Sequence, residues 1–96
     1  MTPLELLQQK RDDILRIMAR HGACNIRVFG SVARGEAGPD SDIDLLIDRG
    51  PVTSPWFPAG LALELEEELG RRIEVVTEQG LNRHLRARVL REAIPL

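Results

Sequence analysis

At 96 residues the chain has room for one hydrophobic core, and a domain of this size buries only about two thirds of the surface its unfolded form exposes. Apolar residues make up 43% of it but aromatic ones only 3%, so the core falls to Leu, Ile, Val and Ala, with Trp56, Phe29 and Phe57 as the large rings. A formal net charge of -2 gives no overall basic field, which argues against a chain whose main task is non-specific nucleic-acid binding; direct nucleic-acid binding is not expected.

The lone cysteine, Cys24, excludes an intrachain disulfide, which suits a reducing compartment. No apolar run approaches the ~18 residues a membrane span needs, and the N-terminus lacks an apolar stretch ending in a cleavage site. The expectation is one soluble, cytoplasmic domain over residues 1–96, with no membrane partner.

In chain order, Thr2-Pro3-Leu4-Glu5 reads as a helix start: Thr2 can cap, Pro3 suits the first helical position and Glu5 can complete a capping box. Leu7, Ile14, Ile17 and Met18 supply an apolar stripe up to Gly22, which predicts one helix over residues 3–21. Asn25 to Phe29 reads as a short strand entering a tight turn at Gly30-Ser31, and Ser31 to Gly38 as an irregular helical turn and a loop. Asp42-Ile43-Asp44-Leu45-Leu46-Ile47-Asp48 has the pattern of a central strand with a polar end. Pro51 to Pro58 is a proline-rich surface loop. A helix from Ala59 to Leu69 turns Leu61, Leu65 and Leu69 inward and stops at Gly70; Arg72 to Thr77 is a third strand; Leu81, Leu85, Val89 and Ala93 line one face of a last helix. That order predicts an α/β fold, a small mixed sheet backed by helices.

Asp42 and Asp44 stand two positions apart on a strand, so both project to the same face, about 6–7 Å apart at Cα. Close like charges on a partly buried strand need a positive neutraliser, and a hard cation with oxygen ligands, such as Mg²⁺, supplies one. Two such ions can clamp the attacking and leaving oxygens of a phosphoryl displacement, for which a third carboxylate is wanted. Glu74, on the next strand, is the candidate. Upstream, Gly30 lets backbone approach a phosphate and Ser31 can donate to it, while Arg34 can meet a leaving pyrophosphate. Taken singly, each feature reads as readily as a turn, a surface charge or a solvated strand edge. His21, Cys24 and His84 lack ligand spacing and read as structural.

Two other motifs fail on the letters. Gly30 and Gly35 have P-loop spacing, but Glu36 and Ala37 stand where Lys and Ser or Thr are required. Asp40, Asp42 and Asp44 match the opening of a calcium loop, but Leu45 and Pro51 stand where its Gly and terminal Glu belong.

Together, Gly30-Ser31-Val32-Ala33-Arg34-Gly35-Glu36-Ala37 and Ser41-Asp42-Ile43-Asp44-Leu45 resemble the signature of the DNA polymerase β-like nucleotidyltransferase superfamily, in particular its minimal members, the MNT group. The resemblance implies a palm-like mixed sheet, Mg²⁺ held by Asp42, Asp44 and a third acid, and a nucleoside triphosphate, ATP or another, held near Gly30 and Ser31. Where the family commonly has Asp as third acid, this chain has Glu74, which leaves that residue's role open between metal ligand and general base. The resemblance further implies a HEPN protein as partner, in a toxin–antitoxin pair whose MNT member nucleotidylates, typically adenylylates, a tyrosine of the HEPN ribonuclease. The arginines from Arg83 to Arg91 and the acids from Glu64 to Glu68 are candidate contacts for such a partner, or ordinary solvated helix faces. Two rival classes remain: a non-catalytic antitoxin acting by contact, and a metal-binding regulatory module that binds no nucleotide.

Overall fold

The computed structural model describes residues 1–96. Thr2 starts the first helix as a capping box: its hydroxyl accepts from Glu5 N at 3.1 Å and its own N–H donates to Glu5 Oε1 at 3.0 Å. The expected single helix is two, α1 (Pro3–Gln9) and α2 (Arg11–His21), because the chain departs from helical geometry at Lys10, φ -96° and ψ 13°. The reason lies in packing. α1 lies against α2 and the short helix at Gly30–Arg34, whereas α2 lies against the first strand and the helix at Ala59–Leu69, with Leu7 and Ile14 both fully buried in one core. Gly22, left-handed at φ 80°, ends α2 as expected.

Strand β1 (Ala23–Phe29) begins two residues earlier than the sequence suggests. Asn25, at φ +52°, interrupts its pairing register between Cys24 and Arg27, a bulge that hides the alternation from a reader of the letters. The short helix α3 (Gly30–Arg34) follows at once, then β2 (Ile43–Arg49), α4 (Ala59–Leu69), β3 (Ile73–Thr77) and α5 (Arg83–Glu92). A two-residue strand, β4 (Ile94–Pro95), goes unread in the sequence because two residues carry no period; its proline sits on the sheet edge, where a missing donor costs least.

The sheet runs β3-β2-β1-β4, with β2 and β3 parallel and the other pairs antiparallel, the expected mixed sheet. Alternation divides its faces. Ile26, Val28, Ile43, Leu45, Ile47 and Ile73 turn to one side and join Ile14, Ile17 and Met18 of α2 and Leu61, Leu65 and Leu69 of α4 in the main core. Truncating a fully buried member such as Leu45 to Ala costs about 2–5 kcal/mol. Asp42, Asp44, Leu46 and Asp48 turn to the other side.

The loop after β2 is stapled down. His21 Nδ1 lies 2.6 Å from Ser54 Oγ and its Nε2 lies 2.9 Å from Glu64 Oε1, tying the end of α2, the loop and α4 together. Glu64 also pairs with Arg20. His21 is thus structural, as its sequence setting suggests. No helix is long and apolar enough to cross a membrane.

Candidate active site

Sheet register builds the site. Phe29 of β1, Asp44 of β2 and Glu74 of β3 lie abreast, so the strand that ends in the Gly30-Ser31 bend delivers it beside both carboxylates. Residues abreast share a face of the sheet, and Asp42, two positions before Asp44, shares it too. The three acids and the glycine–serine bend expected to work together are therefore brought together.

Gly30 is required at its position on two counts. Its φ is +72°, a left-handed conformation that L side chains rarely adopt, and a Cβ there would overlap Asp44 Oδ2 and lie 3.2 Å from its Cγ. The Asp44 carboxylate thus rests against bare backbone. Ser31 follows in the first turn of α3, whose leading N–H groups have no side-chain cap. Gly35, left-handed at φ +73°, closes the turn.

The electrostatics mark Asp44 out. Its carboxyl is pushed up to about 6, first by burial, then by the Glu74 charge and hydrogen-bonding contact, with Asp42 adding to the repulsion and Arg34 opposing it. No protein group fully neutralises this cluster. Exposed Asp42 has Arg72 as its only ion-pair partner, at 3.8 Å. An array of carboxylate oxygens with unmet negative charge is the donor chemistry of a hard divalent cation. As they stand, no three acids are close enough to hold an ion, so Asp42 would have to leave Arg72 to complete a coordination shell with Asp44 and Glu74.

Arg34, expected to meet phosphate, is close enough for its charge to be felt at Asp44. It is also paired within the protein: Nε donates to Glu36 at 2.9 Å and Nη1 to both oxygens of Glu92 at 3.0 and 3.2 Å.

Two features of the site's surroundings escaped the sequence reading. Arg71 Nη2 donates to the Ser41 carbonyl at 2.8 Å, fastening the approach to β2, and Arg72 stands next to Asp42. The signal was there: Arg72 precedes Glu74 by two positions, just before the same strand. Glu92, 58 positions from Arg34, gave no local signal. Between residues 39–41 and 70–72 lies a polar hollow of about 220 Å³; Asp44 is half-buried and Glu74 exposed.

Of the candidate partner contacts, the acidic ones are largely spent internally. Glu64 serves His21 and Arg20, Glu66 accepts from Ile73 N at 3.1 Å and Glu68 lies 3.6 Å from Lys10 Nζ. On α5 only Val89 is buried; Arg86 pairs with Glu78 and Arg88 with Glu92, while Arg83 and Arg91 make no ion pair.

A mixed sheet with an acid pair on its central strand, facing a glycine–serine bend, defines a nucleotidyltransferase. Residues 11–96 match the nucleotidyltransferase domain family, and the chain belongs to that family. Among its relatives is the protein adenylyltransferase MntA of Thermococcus cleftensis, 40% identical across 78% of this chain and 76% of the relative. A solved structure described as a minimal nucleotidyltransferase is 52% identical, covers 100% of this chain and 97% of its own, and superposes with a TM-score of 0.84. A toxin–antitoxin crystal structure with AMP-PNP shares the fold at 20% identity and a TM-score of 0.73, covering 88% of this chain and 69% of its own.

Proposed function

We propose that the chain transfers AMP from ATP to a hydroxyl on a partner protein, and that it acts in this way as the antitoxin of a HEPN toxin in the cytoplasm. The observation that carries the reading is the row Phe29–Asp44–Glu74, which sets an electrostatically strained carboxylate between the glycine–serine bend and a second acid. Its relationship to a protein adenylyltransferase supports a protein acceptor, and its fold likeness to a toxin–antitoxin complex with AMP-PNP is consistent with the antitoxin role.

In this reading Asp42 and Asp44 would hold Mg²⁺, with Glu74 either a third ligand or the general base, and the ion would supply charge neutralisation for the triphosphate. The first N–H groups of α3 and the Ser31 hydroxyl take the phosphate oxygens, and Arg34 faces the charge that gathers on pyrophosphate. The acceptor oxygen bonds to the α-phosphorus as the bond to the bridging oxygen breaks; pyrophosphate departs and the hydroxyl proton passes to solvent or to Glu74. Glu74 is exposed on the edge strand β3, which would leave it open to an incoming hydroxyl.

The test is incubation with α-labelled ATP, Mg²⁺ and the product of the neighbouring gene. Label should appear on the partner, and Asp42→Asn or Asp44→Asn should abolish it while circular dichroism stays unchanged. A partner silenced without label would favour antitoxin action by contact.

A further inference from the structure

Ser31 and Arg34 are three positions apart in one helical turn, so both side chains leave α3 on the same side. Arg34 offers five N–H groups in a planar fork, and the protein takes one position on each of its two donor edges, leaving Nη2 between them. Nε is taken by Glu36 at 2.9 Å, and Nη1 by Glu92 at 3.0 and 3.2 Å, while Nη2 has no protein partner. Glu92 is itself secured. Its side chain is only 18% exposed, and Arg88, one turn back on α5, donates to it at 3.2 Å. α5 buries little besides Val89 and packs on α3, so the Arg88–Glu92–Arg34 chain is a main link between that helix and the nucleotide-binding turn.

We propose that Glu92 is a positioning residue for nucleotide binding: it fixes the Arg34 guanidinium so that Nη2 stays free for a polyphosphate oxygen. The inference rests on the assignment of Arg34 to the triphosphate in the proposed function. A long arginine side chain gives up rotamer freedom when it grips an anion, and a carboxylate that has already fixed the fork spares the ligand that loss. A plain staple between α5 and α3 would use the same atoms, so the test must separate the two roles.

The experiment measures equilibrium binding of Mg²⁺·AMP-PNP to the intact chain by calorimetry. Glu92→Gln should weaken binding about 5–10-fold, and Arg34→Ala about 10–100-fold. The double variant should bind no more weakly than Arg34→Ala alone, because Glu92 acts only through Arg34. Arg34→Lys, which keeps the charge and loses the fork, should show the loss of Glu92→Gln and be insensitive to adding it. Wild-type affinity in Glu92→Gln, tighter binding, or the same further loss in the Arg34→Ala background would overturn the proposal. Wild-type affinity in Arg34→Ala would instead refute the assignment of Arg34 to the triphosphate.

Discussion

Replacing Gly30 with Ala probes the site by a single methyl group. The new Cβ would overlap Asp44 Oδ2 and lie 3.2 Å from Cγ, so the carboxylate has to withdraw from the bend. Restoring ordinary contact needs a displacement of about 1 Å, and a misplacement of that size costs on the order of 10²-fold in rate, about 2.7 kcal/mol of barrier. The backbone penalty is separate: alanine at a positive φ costs about 1–2 kcal/mol of stability. Gly35 supplies the control, because its φ of +73° imposes the same penalty while a Cβ there meets nothing within 4 Å. Both variants should lose about 4–8 °C in melting temperature per kcal/mol. Only Gly30→Ala should lose transfer, read as label from ATP appearing on the partner protein under single-turnover conditions. If Gly30→Ala transfers at the wild-type rate, or Gly35→Ala is damaged equally, the close approach of bend and carboxylate has no catalytic meaning.

Other expectations follow from the same geometry. Asp44 titrates near 6 in the folded chain against 3.8 for an ordinary aspartate, so the folded state holds its proton more tightly. Its contribution to stability is then fully present below about 3.8 and is lost as pH rises through about 6. In chelator at pH 7, Asp44→Asn should therefore melt higher than wild type, and the difference should vanish near pH 4; a lower melting point at pH 7 would contradict the electrostatic account. Adding Mg²⁺ should raise the wild-type midpoint and leave that of Asp44→Asn unmoved, as differential scanning fluorimetry would show. His21→Ala breaks the links to Ser54 and Glu64 and should cost about 1–3 kcal/mol in urea unfolding. Because that staple lies at the far end of β2 from Asp44, its loss should leave the rate of label transfer unchanged.

The letters revealed those parts of the fold governed by local periodicity. The stripe Leu61, Leu65, Leu69 gave α4 its exact span, and the alternation from Asp42 onward gave β2 to within a residue. Where tertiary packing overrides local pattern, the letters misled or fell silent. A run of good helix formers continues through Lys10, so nothing local announces the change of direction between α1 and α2; the positive φ of Asn25 concealed the start of β1. The acid pair and the glycine–serine bend were legible as types, and their nearness follows from the Phe29–Asp44–Glu74 register, which only the sheet order settles. Glu92 could not be found from sequence, since it meets Arg34 only because α5 folds back onto α3.

Of the three candidate carboxylates, Asp44 is half-buried against the Gly30 backbone, whereas Asp42 and Glu74 are exposed. In the proposed reaction a docked acceptor protein would cover the exposed Asp42 and Glu74 and so help keep bulk water from the nucleotide. On that proposal fidelity would be shared between two surfaces: a molecule that offers a hydroxyl but leaves those two acids open to water should be a poor acceptor.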